Sequence, residues 1–122
     1  MYEERTLVQI AGQLLMAFLF LGTGIVNAAT KFTPHLERMV ALGVPRARLV
    51  LISGFALQLA GGLSLALDWH RSWGAAILIL FTIAATAIFH QYWRVDDPLR
   101  RHLHVSFIFS NCGIVGGLLL LM

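Results

Sequence analysis

Four long apolar stretches make up most of this chain of 122 residues. A helix rises about 1.5 Å per residue, so about 20 residues cross the hydrocarbon core of a bilayer, which is about 30 Å thick. Lipid offers no hydrogen-bond partners, and a single segment pairs all its backbone groups only as a helix. The sequence therefore predicts an all-α integral membrane protein, folded as a four-helix up-and-down bundle. The predicted spans are Leu7–Asn27, Ala47–Leu67, Trp73–His90 and Leu103–Met122.

The composition agrees with a membrane environment. Hydrophobic residues are 58% of the chain and charged residues 12%, whereas a soluble domain carries about 25% charged residues. We expect one domain over residues 1–122, because the four spans leave no room for an aqueous catalytic domain. Any chemistry is then expected among the helices, at the membrane surface or on a partner.

The distribution of the basic residues predicts how the spans are oriented in the membrane. The net charge is +3, but these residues flank the spans and form no patch with interleaved aromatic residues, which argues against nucleic acid. By the positive-inside rule the first and third loops face the cytoplasm and both termini lie outside. One side carries Arg5 and Arg71, and the other carries Lys31, Arg38, Arg46, Arg48, Arg94, Arg100 and Arg101.

The first loop is predicted to hold a short amphipathic helix at the membrane interface. Thr33 is a good N-cap, Pro34 suits the first helical position, and Gly43 followed by Pro45 provides a stop. The shared apolar face is Leu36, Met39 and Val40. The second loop, Asp68–Ser72, is short enough to make spans two and three antiparallel neighbours.

Two features of the chain are expected to be unremarkable. The N-terminal run begins with Glu3 and Glu4 and is too long for the apolar core of a cleaved signal peptide, so we expect none. Cys112 is the single cysteine, which excludes an intrachain disulfide and a Cys-x-x-Cys pair. It is predicted to be a small buried residue of the fourth span.

Each span carries one face of polar or small residues, and all four faces are predicted to turn inward. Such residues either bind helices to one another or form a site, and for Gln58 and Asn111 both interpretations stay open. Gly113 and Gly117 have the spacing of a helix-packing motif. The faces are Gln9, Gln13, Thr23 and Asn27; Gly54, Gln58, Gly61 and Asp68; Thr82, Thr86 and His90; and His104, Phe107, Asn111, Gly113, Gly116 and Gly117.

Alternating topology places four of the five histidines on one side, beside a charged rim. Imidazole titrates near neutral pH, so these residues form either a proton-exchanging pocket or a set of interfacial side chains. A quinone ring there needs a donor such as His90 or His104 and an aromatic residue such as Trp93 or Phe107. The four are His35, His90, His102 and His104, and His70 lies on the opposite side.

Metal and haem ligation are disfavoured by the same positions. No two histidines are expected to face each other within the membrane interior, as a haem needs. The spacing of His102 and His104 on a helix points their rings in nearly opposite directions, so both cannot bind one metal.

Several segments, taken in order, resemble the DoxX family of small four-span membrane proteins, which includes the DoxD-type subunit of thiosulfate:quinone oxidoreductase. The resemblance covers most of the chain. It lies in Gly22–Lys31, Leu42–Pro45, Gln58–Gly62, Phe89–Trp93 and Asn111–Leu118.

The resemblance implies a multi-pass component of a bacterial or archaeal cytoplasmic membrane, near quinones, sulfur compounds or oxidative-stress enzymes. Many members look to have a glutamate where this chain has Gln58. A carboxylate can move protons, whereas an amide can only hydrogen-bond, so if that glutamate carries the family's activity, this member is expected to keep the scaffold and to lack the chemistry. Kinship with bundles that reduce quinones through paired cysteines is also implied, but the single Cys112 excludes that mechanism here.

Two hypotheses of function follow, from different classes. In the first, the chain is a membrane subunit of an oxidoreductase-type complex that binds a quinone or lipid headgroup near His90, His104, Lys31, Asn111 and Trp93. In the second, it is a non-catalytic accessory or anchoring subunit that packs against a larger membrane assembly. A transporter or channel is a third option, disfavoured because no charged residue lies at the predicted midplane.

Overall fold

The computed structural model describes residues 4–122, and its regular structure there is entirely helical. The bounds confirm the predicted all-α bundle, including the short helix between the first two spans. The helices are α1 (Leu7–Thr30), α2 (Phe32–Ala41), α3 (Ala47–Leu67), α4 (Arg71–Phe89) and α5 (Pro98–Leu120), with a short 3₁₀ helix at Tyr92–Arg94 before α5.

The start of α1 is set by a capping box. Thr6 Oγ1 accepts from the backbone N–H of Gln9 at 3.1 Å, and Gln9 Oε1 accepts from the backbone N–H of Thr6 at 3.0 Å. These contacts satisfy two of the N–H groups that a helix start leaves unpaired. The prediction that Gln9 turns inward is therefore wrong, because its exposed side chain serves the cap.

α2 covers one end of the bundle. Its N-cap is Lys31, which makes no side-chain cap, so the prediction of Thr33 as N-cap is wrong. The predicted stop is confirmed, because the helix ends at Ala41 and Gly43 follows with φ +79°, a conformation that glycine adopts without strain. Met39 is 1% exposed and packs with Ala47 and Leu51 of α3.

Val40, which is predicted to share the apolar face of α2 with Met39, is 63% exposed, which is compatible with an apolar face directed at lipid. Only a narrow stripe of α2 meets the ends of α3 and α4, and Met39 occupies its centre. The neighbouring position on a helix is turned by about 100°, which carries Val40 away from that stripe.

The turn from α3 to α4 is as tight as predicted. Asp68 and His70 both adopt left-handed backbone conformations, with φ of 50° and 51°. Ser64 Oγ donates to the carbonyl oxygens of Trp69 and His70, which holds the turn against the end of α3. Consecutive spans α3 and α4 are therefore antiparallel neighbours.

α5 begins five residues before the predicted start of the fourth span. Pro98 occupies the first helical turn and Asp97 is the N-cap, an arrangement that proline's fixed φ favours. The first turns of α5, which contain Arg100 and Arg101, are thus helical although they are too polar to count as part of an apolar span. Hydropathy marks where a helix can enter lipid, whereas capping marks where the helix itself begins.

α3 lies at the centre of the packing, with α1 on one side and α4 on the other, and α5 packs on α4. Glycines permit this close approach. A Cβ placed on Gly61 meets Leu78 Cγ of α4 at 2.6 Å, and one placed on Gly62 meets Leu21 Cγ of α1 at 2.9 Å. The buried core is Ala17, Phe20, Leu65, Ala75, Leu78, Leu118 and Leu121.

The outward surface of the helices is apolar, and four helices are long and apolar enough to cross a membrane. The protein is therefore a multi-pass membrane protein. Three predictions for α5 are wrong: Cys112 is exposed, and Gly113 and Gly116 lie on the outer face with nothing within 4 Å of an added Cβ. The reason is that α5 has one main neighbour, so most of its circumference faces outward. Gly117 alone makes a close contact, with Met16 of α1.

Candidate functional site

A cavity of about 490 Å³ lies between the helices at the end of the bundle that α2 covers. We call it the α2 cavity. Its walls are mainly apolar and aromatic, with a few polar side chains at the deep end and at the rim. The lining residues are Thr23, Asn27, Pro34, His35, Arg38, Met39, Val50, Leu51, Gly54, Phe55, Gln58, Phe81, Ala84, Ala85, Ile88, Phe89, His90 and His104.

The deep end of the α2 cavity is formed by Gln58, which stands near the middle of α3 and is 4% exposed. Its Nε2 donates to the carbonyl oxygen of Phe20 and to Thr23 Oγ1, both at 2.9 Å. The amide lies close to α1 because position 24 is glycine, where an added Cβ meets Gln58 Cδ at 3.1 Å. The prediction that Gln58 turns inward is confirmed, and its contacts show that it also binds α1 to α3.

At the rim, two histidines from different spans meet. His90 Nδ1 lies 3.0 Å from His104 Nδ1, and the ring of Phe107 lies 5.1 Å from that of His90. A contact between two ring nitrogens at this distance requires one to donate and the other to accept, so the pair shares one Nδ1 proton. The sequence does not predict this contact, because each histidine belongs to a separate helix end.

The lid of the cavity is the first half of α2. His35 Nδ1 lies 2.7 Å from the carbonyl oxygen of Lys31, and its ring packs edge-on to Phe89 with a centroid distance of 5.2 Å. Arg38 follows on the same face and contributes the guanidinium group of the wall. No group of three or more His, Cys, Asp or Glu side chains comes together within residues 4–122. The polar groups that line this part of the cavity are the imidazoles, the Arg38 guanidinium and the Asn27 amide.

The structure brings together only two of the five predicted site residues. His90 and His104 line the α2 cavity, whereas Lys31, Asn111 and Trp93 do not. Lys31 is exposed at the junction of α1 and α2, and the Trp93 ring, 62% exposed, packs on Tyr92. Asn111 Nδ2 donates to Thr86 Oγ1 at 2.8 Å and so links α5 to α4.

Sequence reasoning missed the aromatic walls, Phe55 and Phe81. One signal was available for Phe55, which lies three residues before Gln58 and therefore on the same face of α3. No such signal is available for Phe81, because it lies in an apolar run where the sequence does not show which positions face the protein interior. Its ring meets that of Phe20 at a centroid distance of 6.3 Å.

The opposite end of the bundle holds a different polar group, which we call the turn-side network. Gln13 Nε2 donates to the carbonyl oxygen of Leu65 and to Asp68 Oδ1, both at 2.9 Å. Arg71 pairs with Asp68 Oδ1 at 3.3 Å and donates from Nε to the carbonyl oxygen of Leu121 at 2.8 Å. These contacts join α1, α3, α4 and the end of α5.

The fold and the cavity define a class: a small multi-pass helical membrane protein with a cavity at one end of its bundle. Residues 10–91 match the family model described as DoxX. The chain belongs to the DoxX family, which confirms the resemblance found from the sequence.

One curated relative extends the comparison to a longer protein. The chain is 30% identical over 127 aligned positions to a protein named Surfeit locus protein 4 homolog, from Schizosaccharomyces pombe. The match covers 99% of this chain and 35% of that relative's length. No solved structure matches the chain.

Proposed function

We propose that this protein is a membrane subunit of an oxidoreductase-type complex and that it binds a quinone-class ring in the α2 cavity. The observation that supports this most directly is the shared-proton pair of His90 and His104 at the rim of an aromatic-walled cavity. Sites for small molecules have volumes of about 300–1,000 Å³, apolar walls and a few polar groups that fix orientation. The α2 cavity has all three properties.

The polar groups of the cavity suit a ring that carries oxygen atoms. One nitrogen of the His90–His104 pair donates to the other, which leaves one outward nitrogen as a donor and one as an acceptor. Such a pair can hand a proton to a ring oxygen and take another from the rim without leaving either imidazole charged. The rings of Phe55, Phe81 and Phe89 provide flat apolar surfaces.

In this proposal the remaining predicted residues support the site. The carbonyl oxygen of Lys31 accepts a hydrogen bond from His35 and holds its ring in place. The ammonium group of Lys31 is an exposed cation near the rim. Asn111 fixes α5 against α4 and thereby the position of His104. Trp93 packs on Tyr92, whose ring Arg101 approaches at 5.5 Å, in the segment that follows His90.

The test is purification in mild detergent followed by mass spectrometry of the extracted quinones. We expect His90→Ala and His104→Ala each to lower the quinone retained per protein by about tenfold, the loss expected for about 1.4 kcal/mol of binding free energy. His102→Ala is the matched control, because His102 is exposed and lies outside the cavity on the same side. Unchanged quinone content in both variants contradicts the proposal.

An accessory subunit is the second candidate, and the burial of α5 favours it. In the most apolar window of each span, 6% of the α5 positions are buried, against 22–28% for the other three. A helix covered so little is suited to pack against another membrane protein. The same purification then yields a partner subunit in fixed ratio, while the isolated chain retains no quinone. Absence of any stoichiometric partner argues against this candidate.

We also propose, from the Lys and Arg distribution, that α2 and the α4–α5 connection face the cytoplasm of a bacterial or archaeal cell. Seven of the nine basic residues belong to that side. A fluorescent protein that matures only in the cytoplasm, fused after Met122, is expected to stay dark. The same fusion inserted between Gly43 and Val44 is expected to fluoresce, and the reverse result inverts the proposed orientation.

A further inference from the structure

We infer that the α2 cavity selects the reduced, hydroxyl-bearing form of its ring over the oxidised form, and that the deciding contact is a ligand O–H donated to Gln58 Oε1. This inference rests on the proposed function, because it concerns which form of the ring occupies the same cavity. It makes Gln58 a specificity-determining residue at the deep end of the site.

The first step is the assignment of the Gln58 amide. One of its terminal atoms lies 2.9 Å from the carbonyl oxygen of Phe20, which has no proton to donate, so that atom must be the nitrogen. Its second contact, Thr23 Oγ1, donates its own proton to the carbonyl oxygen of Leu19 at 2.6 Å and therefore accepts from Gln58. Both Nε2 hydrogens are thus in use within the protein.

The second step concerns the other end of the same amide. Both hydrogen bonds that the Gln58 side chain makes within residues 4–122 use Nε2, and no donor there reaches Oε1. Gln58 is 4% exposed, and it lines the cavity. Whatever fills the deep end of the cavity must therefore donate a hydrogen bond to Oε1 or leave this acceptor unpaired, which is unfavourable. Lipid chains cannot donate one.

A second acceptor faces the cavity from the lid. His35 Nδ1 contacts the carbonyl oxygen of Lys31 at 2.7 Å, and because a carbonyl only accepts, Nδ1 carries the proton. In the neutral ring the remaining Nε2 is then an acceptor. Donors are also present in the lining, in the Arg38 guanidinium, the Asn27 amide and one nitrogen of the His90–His104 pair. The two ends of the cavity therefore differ, because the rim offers both donors and acceptors, whereas Gln58 in the deep end offers only an acceptor.

The two oxidation states of a quinone meet this pattern differently. A quinone carries carbonyl oxygens, which only accept hydrogen bonds. When it binds, one of its carbonyl oxygens faces Gln58 Oε1, and because neither oxygen can donate, both remain unpaired. A hydroquinone carries two O–H groups, and each donates one hydrogen bond and still accepts another. A site discriminates strongly against a ligand that leaves one of its polar groups without a hydrogen bond. The free energy lost by that group is not regained through any other contact.

The test compares three probes with the full chain in lipid nanodiscs, under anaerobic conditions. The probes are 2-decyl-1,4-benzohydroquinone, the matching quinone, and the 1,4-dimethyl ether of the hydroquinone, which keeps the ring and loses both donors. We expect the hydroquinone to bind about tenfold more tightly than either of the others. For a two-electron couple that preference raises the midpoint potential of the bound ring by about 30 mV, which redox titration measures independently.

The variant arm asks whether Gln58 is the deciding contact. Gln58→Met keeps a side chain of similar length without the amide, and we expect it to bring the hydroquinone-to-ether ratio close to one. Gln9→Leu is the control, since Gln9 is an exposed glutamine far from the cavity. The wild-type ratio keeps the inference testable even if Gln58→Met does not fold.

The outcomes separate this inference from the proposed function. Equal binding of all three probes overturns the selectivity and leaves quinone-class binding standing. A preference that survives in Gln58→Met overturns the role of Gln58. Failure of every probe to bind the wild-type protein overturns both the inference and the proposed function. Tenfold selectivity that disappears only in Gln58→Met supports the inference.

Discussion

The two ends of this bundle use buried polar groups in different ways. In the turn-side network Gln13, Asp68 and Arg71 contact one another and backbone carbonyls, so that α1, α3, α4 and the end of α5 are joined. Gln13 Oε1 is buried there and accepts no hydrogen bond from residues 4–122. At the other end Gln58, His35 and the histidine pair surround a cavity of about 490 Å³. Both ends use α1, α3, α4 and α5, and α2 contributes only to the end with the cavity.

The difference shows that polar residues in a membrane span do not by themselves reveal their role. Gln13 is 0% exposed and Gln58 is 4% exposed, and each donates two hydrogen bonds from Nε2. What separates them is the space next to them, because only Gln58 lines a cavity of ligand size. The turn-side network thus joins the helices, and the α2 cavity is the place where we propose that a ligand binds.

The strongest test of this comparison uses two glycines of α3, one at each end. Gly61→Ala is expected to lower the free energy of unfolding by about 2 kcal/mol, because the new Cβ lies 2.6 Å from Leu78 Cγ in a packed contact. Gly54→Ala is the control, since its Cβ meets only Phe81 Cε2 at 3.7 Å beside the cavity. Denaturant titration in detergent micelles measures both, and equal losses contradict the distinction between the two ends.

Removing one charge from the turn-side network is expected to have a smaller effect. Asp68→Asn keeps the size of the side chain and suits the left-handed backbone, but it weakens the contacts with Arg71 and Gln13. We expect a loss of about 1 kcal/mol in unfolding free energy, as for a partly exposed charged hydrogen bond. Asp97→Asn is the control, an exposed carboxylate that makes no cap hydrogen bond. If Asp68→Asn is as stable as the wild-type protein, the charge of Asp68 does not contribute to the stability of the turn-side network.

At the α2 end the matching change should affect binding more than stability. Gly24→Ala places a Cβ 3.1 Å from Gln58 Cδ and 3.2 Å from its Nε2, which pushes the amide toward the cavity. We expect affinity for the decyl hydroquinone to fall by about fivefold, or about 1 kcal/mol. Gly22→Ala is the control, with nothing within 4 Å of its Cβ. Isothermal titration in nanodiscs measures both, and equal affinities show that the position of the amide is unimportant.

The smallest effect is expected for the link between α4 and α5. Asn111→Ala, Thr86→Val and the double variant form a cycle around a hydrogen bond of 2.8 Å. Interhelical hydrogen bonds in membranes give coupling energies of about 0.6 kcal/mol, and we expect a value of that size. Thermal unfolding of the four proteins provides the measurement. A coupling energy near zero means that this contact does not fix α5, and that the position of His104 has another cause.

How far the sequence predicts this structure depends on the kind of feature. The four spans and the tight Asp68–Ser72 turn are predictable, because hydropathy and length report directly on lipid solvation. Gln58 is predictable as an inward residue, since an amide facing acyl chains is unfavourable. Gly113 and Cys112 are not, because a small apolar residue is tolerated both in a helix contact and against lipid.

The sequence by itself therefore determined the all-α membrane fold and which histidines share one side, since both follow from the solvent around each segment and from alternating topology. Only the tertiary structure decided that His90 meets His104, that Lys31, Asn111 and Trp93 stand outside the cavity, and that Gln58 donates both Nε2 hydrogens to α1 while it lines the cavity. The physical reason is that these features depend on the rotation and separation of whole helices. Close contacts such as that of Gly61 with Leu78 set those quantities, and no local pattern along the chain encodes them.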